Sequence, residues 1–129
     1  MTNQEIAMAF VDRINRHDVA ALTELMSDDH RFIDAHGNEV VGRDNMSAGW
    51  RGYFGMFPDY AIEVQEIFED GDNFAMFGSA GGSFQGRREA SWRLPAAWKA
   101  VVKNGRITLW QVYADTKIPF ELIEEGTLK

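Results

Sequence analysis

The sequence contains no cysteine and only three prolines among its 129 residues. Without cysteine there can be no disulfide, thiol nucleophile or cysteine-ligated metal, which is compatible with a reducing cytoplasm. No apolar run approaches the ~20 residues that cross a bilayer, and the first residues lack the basic segment and apolar run of a signal peptide. We therefore expect a cytoplasmic protein with no membrane partner.

Basic residues are also scarce. The chain has 13 Lys and Arg against 20 Asp and Glu, which gives a formal net charge of -7. Phosphate binding draws its affinity from clustered Lys and Arg, so this balance argues against nucleic acid and anionic membrane surfaces as partners. Hydrophobic residues make up 45% of the chain, as expected for a folded globular protein. The length fits one domain, which we expect to span residues 1–129.

Three amphipathic helices are predicted in the N-terminal half. Thr2 and Glu5 have the spacing of a capping box, and an apolar stripe follows them. Asp18 can cap a second, shorter helix, because its carboxylate can accept a backbone N–H of the first turn. A third helix is expected from about Arg43 until Pro58 prevents its continuation.

Alternating β-branched and aromatic residues then predict four strands with antiparallel neighbours. Asp70-Gly71 and Asn104-Gly105 supply the positive φ angles that tight hairpin turns require. Glycines such as Gly78 permit the bulges that curve a sheet. The expected fold class is α+β, with a curved, cone-shaped antiparallel sheet wrapped around the three N-terminal helices. These strands are expected at residues 60–68, 73–83, 91–102 and 107–114.

Asp34 is the main candidate for chemistry. It lies in the run 30–36, His-Arg-Phe-Ile-Asp-Ala-His, which reads as a strand after the second helix. Alternation would put Asp34 beside Phe32 on the inward face, partly out of water. Burial disfavours a charged carboxylate and so tunes a weak base toward neutral pH. The alternative is an Asx-type turn, because Asp readily accepts hydrogen bonds from the backbone that follows it and Gly37 is close.

Aromatic residues are concentrated on the predicted inner surface. Trp92 and Trp98 share the wholly apolar face of the 91–102 strand, whereas periodicity leaves open which face of the last strand is buried. These side chains line a pocket for a planar hydrophobic ligand, or they simply fill the core. Small neighbours such as Ala96, beside an ionisable group, favour a pocket. The candidate ligand-binding residues are Phe10, Trp50, Tyr53, Phe54, Met76, Trp92, Trp98, Trp110 and Val112.

Asp34 and His36 also raise the question of a metal. A catalytic metal site normally needs three protein ligands that converge on one point. The sequence offers no convincing third ligand, and it contains no glycine-rich phosphate loop. We therefore expect neither a metal nor another cofactor.

Three local patterns occur in a characteristic order. They are Asn15-x-His17-Asp18 at the end of the first helix, residues 25–29 (Leu-Met-Ser-Asp-Asp) before Asp34, and residues 110–115 (Trp-Gln-Val-Tyr-Ala-Asp) in the last strand. This order resembles the nuclear transport factor two-like superfamily, and more narrowly its ketosteroid isomerase and SnoaL-like polyketide cyclase branch. The resemblance implies a cystatin-like α+β barrel with an internal pocket, a homodimer across the outer sheet face, and Asp34 in the place of the isomerase base.

The same resemblance argues against two activities of that superfamily. The oxyanion-binding tyrosine of the isomerases falls on Phe10 and their acid on Ala96 or Ala97, neither of which can donate a hydrogen bond. The aspartate of the epoxide hydrolases falls on Val112. That alignment also turns Trp110, Val112 and Ala114 inward and Tyr113 outward. Replacement donors are the tryptophan indole N–H groups, Trp50 among them, and the Tyr53 hydroxyl.

Two functions therefore stay open. The first is a pocket for a hydrophobic, carbonyl-bearing small molecule, with isomerase or cyclase chemistry that uses Asp34 as general base and His36 to assist or orient it. The second is a non-catalytic ligand-binding or association module. A cavity of at least ~300 Å³ with the Asp34 carboxylate at its wall favours the first function, and a filled cone favours an association module.

Overall fold

The computed structural model describes residues 1–128. Two short 3₁₀ helices, Phe84–Gly86 and Arg88–Ala90, join its two longest strands. Within the described residues, no helix combines the length and apolar character needed to span a membrane. The other elements are α1 (Asn3–Asn15), α2 (Val19–Leu25), β1 (Met26–Ile33), β2 (Glu39–Val41), α3 (Arg43–Met56), β3 (Ala61–Asp70), β4 (Asn73–Ser83), β5 (Ser91–Lys103), β6 (Arg106–Tyr113) and α4 (Lys117–Leu128).

The three predicted helices are confirmed, with their predicted caps. The Thr2 hydroxyl accepts a hydrogen bond from the Glu5 N–H at 3.1 Å, and the Glu5 carboxylate accepts one from the Thr2 N–H at 3.0 Å. This reciprocal pair is the capping box of α1. The Asp18 carboxylate accepts from Ala21 N–H at 3.1 Å and caps α2. Helix α3 ends two residues before Pro58.

The strands form one open, six-stranded sheet in the order β2-β1-β6-β5-β4-β3. The α+β class is therefore confirmed. The antiparallel pairing predicted for the last four strands is confirmed. The sheet as a whole is mixed, because β1 pairs with β6 in parallel. Short connections join β3 to β4, β4 to β5 and β5 to β6, whereas β1 and β6 are separated along the chain by α3 and four other strands, so no tight turn sets their relative direction.

A bulge interrupts the hairpin of β3 and β4. The pairing of β3 with β4 shifts its register between Val64 and Glu66, opposite Gly78. A Cβ atom on Gly78 would lie 1.7 Å from the Glu63 carbonyl oxygen, so no residue with a side chain fits there. The prediction that glycine permits curvature in this strand is confirmed at Gly78.

The inward faces of β5 and β6 carry the largest core residues. Trp98 and Trp110 are at most 2% exposed, whereas Tyr113 is 51% exposed. Periodicity alone did not decide which face of β6 is buried. In the structure Trp110 faces inward and Tyr113 outward, as the family resemblance predicted. The concave face of the sheet packs against α1 and α3 through these aromatic side chains.

The fourth helix, α4, was not predicted from the sequence. The Asp115 carboxylate accepts a hydrogen bond from the Lys117 N–H at 3.1 Å and so starts this helix. Pro119 is tolerated because it lies in the first turn, where its missing N–H has no intrahelical partner. Near the other end, a Cβ atom on Gly126 would lie 1.9 Å from the Phe84 ring, so α4 lies directly against that ring.

Candidate functional site

A cavity of about 460 Å³ lies between the concave face of the sheet, α3 and α4. It is larger than the ~300 Å³ at which small-molecule sites begin. All four tryptophans of the chain line it. No Lys or Arg of the described residues belongs to its lining. Six of the predicted ligand-binding residues line the cavity: Trp50, Tyr53, Trp92, Trp98, Trp110 and Val112.

The other three predicted ligand-binding residues lie in the packed core and do not line the cavity. Phe10 is fully buried on α1, with its ring 4.8 Å from the ring of Trp110. Phe54 stacks on the imidazole of His17 at 4.1 Å. Met76 is fully buried on β4. Sequence periodicity identifies inward residues, but it cannot tell which of them border an empty space.

Asp34 lies in the turn between β1 and β2, not in a strand. Its Oδ1 accepts hydrogen bonds from the backbone N–H groups of His36 and Asn38, each at 2.9 Å. Its Oδ2 accepts one from the Asn38 side-chain amide at 3.2 Å. Gly37 completes the turn with a φ of +85°. The prediction of a strand through residue 36 is therefore wrong, and the Asx-type turn describes the local structure.

Asp34 is nevertheless half-buried and lines the cavity. The next residue, Ala35, lines it as well, because strand alternation ends at Ile33. Oδ1 of Asp34 is occupied by two backbone donors, whereas Oδ2 accepts one long hydrogen bond. A carboxylate oxygen can accept more than one hydrogen bond, so Oδ2 keeps acceptor capacity.

The His36 ring contacts α4 and makes no hydrogen bond with Asp34. Its Nε2 atom hydrogen-bonds with the Thr116 hydroxyl at 2.7 Å, and its ring packs edge-on against Phe120 at 4.7 Å. Asp34, His36 and Thr116 all line the cavity, and we call them the turn cluster. The sequence analysis could not pair His36 with Thr116, because it did not predict α4.

Tyr53, Tyr60 and Trp92 form a second polar group in the cavity wall, which we call the tyrosine cluster. The rings of Tyr53 and Tyr60 are 4.8 Å apart and nearly perpendicular, and the ring of Trp92 is 6.1 Å from that of Tyr60. Burial raises the pKa of Tyr53. Burial, followed by the nearby Tyr53, raises the pKa of Tyr60. Both hydroxyls therefore stay protonated at neutral pH.

Tyr60 is a site residue that the sequence analysis missed, since it reads only as the start of a strand. Its backbone is held from α1: the Tyr60 carbonyl oxygen lies 2.6 Å from His17 Nε2. Two residues on, the side chain of Asn15 donates to the Ile62 carbonyl at 2.9 Å and accepts from the Ile62 N–H at 2.8 Å. The side chains of the Asn15-x-His17 pattern thus hold the backbone at and just after Tyr60, and this pattern is the sequence feature connected with Tyr60.

The family of SnoaL-like domains matches residues 7–110, which is most of the chain. This protein belongs to the SnoaL-like family. No curated protein matches the chain at a significant level. The resemblance drawn from the sequence patterns is confirmed by this match and by the solved structures that share the fold.

Several solved structures superpose closely on this SnoaL-like chain. A hypothetical protein from Catenulispora acidiphila with a ketosteroid isomerase-like fold, in complex with trimethylamine, is 23% identical over 87% of this chain and 86% of its own, with a TM-score of 0.77. A proposed SnoaL-like polyketide cyclase from Shewanella denitrificans is 14% identical over 95% and 97%, with a TM-score of 0.81. TerC, co-crystallised with polyporic acid, is 19% identical over 95% and 98%, with a TM-score of 0.80. At these identities the likeness shows the fold alone.

Polar side chains are few in the cavity of this SnoaL-like protein. The resemblance places the isomerase acid on Ala96 or Ala97 and the epoxide hydrolase aspartate on Val112. Of these three residues, Ala96 and Val112 line the cavity, and neither brings a polar side chain. The two clusters and the remaining indole N–H groups therefore supply the polar side-chain atoms of the wall. Across residues 1–128, no three His, Asp or Glu side chains are grouped so that they could hold a metal ion.

Proposed function

We propose that this SnoaL-like protein binds a hydrophobic, carbonyl-bearing small molecule in its cavity. The observation that carries the proposal is the cavity itself, about 460 Å³ with four tryptophans and Asp34 in its wall. Aromatic walls contact planar ligands over a large area. Among residues 1–128 the lining contains no Lys or Arg, so no permanently charged cation is available for an anionic ligand, whereas the hydroxyl and indole donors suit a neutral oxygen acceptor. A module that served only for association would not need this space.

The four tryptophans make ligand binding measurable without a label. All of them line the cavity, so the fluorescence of the protein reports on its occupant. We expect a naphthyl methyl ketone to quench this fluorescence saturably. Replacing Ala96 by Phe should weaken binding at least about tenfold, because the new ring occupies the cavity and overpacks it. The absence of a saturable change in the unmodified protein would contradict the proposal.

Ala97 supplies the matched control. It follows Ala96 on β5 and lies in a row with Phe77 and Tyr113 on the outer face of the sheet. The variant Ala97→Phe adds the same ring on the opposite face, so ketone binding should stay unchanged. Equal losses in both variants would indicate damage to the sheet and would remove the support for binding inside the cone.

A second candidate function is proton transfer at the carbon beside the ligand carbonyl, as in isomerase or cyclase chemistry. The observation in its favour is that Asp34 lines the cavity with acceptor capacity left on Oδ2. As a general base, the Asp34 carboxylate would take a proton from that carbon, and the electron pair would move onto the carbonyl oxygen as an enolate. His36 remains the proposed orienting residue, because its backbone N–H holds Asp34 Oδ1.

Deuterium exchange tests this chemistry without knowledge of the natural substrate. In D₂O, the protein should accelerate exchange of the methyl protons of the naphthyl methyl ketone, as followed by NMR. The variant Asp34→Asn keeps an oxygen for the two backbone donors but cannot accept the proton. We expect exchange to fall to the uncatalysed rate while fluorescence still reports binding. Exchange that survives in Asp34→Asn would rule out Asp34 as the base.

We also propose that two copies pair through the outer face of the sheet. Phe68, Phe77 and Tyr113 are 57%, 45% and 51% exposed there, and the rings of Phe68 and Phe77 lie 6.0 Å apart. Adjoining exposed apolar side chains of this kind are typical of protein contact sites. Sedimentation should give a dimer that Phe77→Lys converts to a monomer. An unmodified protein that stays monomeric at high concentration would contradict the pairing.

A further inference from the structure

The wall of the cavity holds hydrogen-bond donors that have no partner. The indole N–H groups of Trp50 and Trp92 are buried and meet no acceptor among the described residues. The hydroxyls of Tyr53 and Tyr60 also form no hydrogen bond with any described residue. The side chains of Tyr60, Trp92 and Trp50 are all more than nine-tenths buried. Four unpartnered donors therefore border one cavity.

Two buried indole N–H groups without a partner among the described residues, at one cavity, are unusual in a folded protein. Most buried polar groups have a hydrogen-bond partner, because a buried donor without an acceptor loses its interaction with water and gains nothing in return. The tyrosine cluster brings together the rings that carry two of these hydroxyls and one of these indole N–H groups. An acceptor atom on a bound ligand would satisfy donors that the protein itself leaves unpaired.

The position of Tyr60 is fixed independently of any ligand. His17 contacts its carbonyl oxygen, and Asn15 holds Ile62 by two hydrogen bonds. The Tyr60 N–H donates to the Phe57 carbonyl at 3.0 Å. A donor held in this way gives up little conformational freedom when a ligand arrives, which strengthens binding.

We propose that the Tyr53 and Tyr60 hydroxyls, beside the Trp92 indole, form the subsite that holds the carbonyl oxygen of the ligand. This inference rests on the proposed function, because it locates one end of the ligand within the same cavity. The hydroxyls donate hydrogen bonds to the carbonyl oxygen, while the rest of the ligand contacts the apolar walls. The subsite takes over the role that Phe10 and Ala96 cannot perform.

The two tyrosines act here as neutral donors. Because burial raises the pKa of both phenols, neither loses its proton near neutral pH. A neutral donor polarises a carbonyl less than an acid does, so the subsite selects and orients the ligand oxygen in either of the proposed functions. It is a specificity determinant whether or not Asp34 removes a proton.

Two ligands that differ at a single non-hydrogen atom test the subsite. The naphthyl methyl ketone carries a carbonyl oxygen, and isopropenylnaphthalene has a CH₂ group in its place. We expect Tyr60→Phe and Tyr53→Phe each to weaken ketone binding about fivefold to tenfold, the range of one hydrogen bond. Neither change should alter binding of the hydrocarbon. The chain has three tyrosines, and Tyr113→Phe on the outer face is the matched control.

The possible outcomes separate the two proposals. A selective loss of ketone affinity in Tyr53→Phe or Tyr60→Phe, but not in Tyr113→Phe, supports the subsite. If both ligands bind and neither tyrosine variant discriminates between them, the subsite is overturned while the proposed function stands. If neither ligand binds the unmodified protein, the proposed function fails and the subsite fails with it. Thermal unfolding of each variant, without ligand, confirms that it is folded.

Discussion

The turn cluster and the tyrosine cluster place polar groups in the wall of the same cavity but treat them differently. In the turn cluster, Asp34 accepts three hydrogen bonds and His36 is paired with Thr116. In the tyrosine cluster, the hydroxyls of Tyr53 and Tyr60 have no partner in the described part of the chain. Each side chain of the turn cluster is hydrogen-bonded within the protein, whereas the two hydroxyls of the tyrosine cluster have no partner among the described residues.

Under the proposed function, this difference separates polar groups that stabilise the fold from polar groups that would bind the ligand. A hydrogen bond that is already made within the protein stabilises the folded state. An unpartnered donor in a cavity wall contributes to binding instead, because its hydrogen bond forms only when an acceptor arrives. Changes in the turn cluster should therefore affect stability, and changes in the tyrosine cluster should affect affinity.

Asp34→Ala should have the largest effect on stability. The variant loses all three hydrogen bonds of the half-buried carboxylate and leaves two backbone donors of the turn unpaired. We expect the free energy of unfolding, measured in urea, to fall by about 1–3 kcal/mol. Asp34→Asn retains an oxygen for both backbone donors, so its loss should stay below about 1 kcal/mol. Equal losses in the two variants would show that the turn does not depend on this acceptor.

Thr116→Val should have a smaller effect. It removes the hydrogen bond between His36 and Thr116 at a partly exposed position, for which we expect a loss of about 0.5–1 kcal/mol. The start of α4 should also become more susceptible to proteolysis. Tyr60→Phe removes a hydroxyl as well, but that hydroxyl has no partner among residues 1–128, so the ligand-free protein should lose no stability. A loss in Tyr60→Phe as large as in Thr116→Val would erase the distinction between the clusters.

Within residues 1–128, the His30 ring has one nitrogen with a hydrogen-bond partner and one without. We expect this residue to make the stability of the protein depend on pH. It is fully buried; its Nδ1 lies 2.8 Å from the Ile107 carbonyl, and its Nε2 has no partner among the described residues. Burial lowers the pKa of His30, more than the Ile107 carbonyl and Asp29 raise it. The unfolded chain therefore binds the proton more readily than the folded one. The stabilisation is complete above the usual pKa of about 6.5 and declines as the pH falls below it.

The variant His30→Asn isolates this contribution. Asparagine keeps a side-chain donor near the Ile107 carbonyl but cannot be protonated. Thermal unfolding measured between about pH 7.5 and pH 5.5 should show a smaller decline in the variant than in the unmodified protein. His17 and His36 are present in both proteins, so the difference belongs to His30. Parallel curves would show that His30 does not titrate differently on folding.

Local signals predicted the parts of the fold that local interactions determine. The caps at Thr2 and Asp18, the end of α3 before Pro58 and the hairpins at Gly71 and Gly105 all depend on residues close in sequence. The parallel pairing of β1 with β6 depends on residues about 80 positions apart, which no local pattern encodes. The same limit applies to the bond between His36 and Thr116.

The candidate site was only partly predictable for a related reason. The alternation of side chains along the strands and the helical periodicity identified the inward-facing aromatic residues. They could not tell that Trp98 borders the cavity and Phe10 does not, because this depends on how the surrounding elements pack. Asp34 was found because a carboxylate is conspicuous on an apolar strand. Tyr60 was missed because a tyrosine at the start of a strand is ordinary, and its significance lies in having no partner. The absence of a hydrogen bond is visible only in three dimensions.

Helix α4 forms one wall of the cavity and lies outside the region that matches the SnoaL-like family. The match to the SnoaL-like family ends at residue 110, whereas the side chains that α4 contributes, Pro119, Phe120 and Ile123, lie beyond it. The tryptophans and the tyrosine cluster all lie within the matched region. If the proposed ligand binds, exchange of the side chains on α4 would change the shape of the cavity while the proposed carbonyl subsite, which lies within the matched region, would keep its residues. Under the same proposal, substitutions confined to α4 would alter which ligand the cavity accepts without changing the core residues of the sheet.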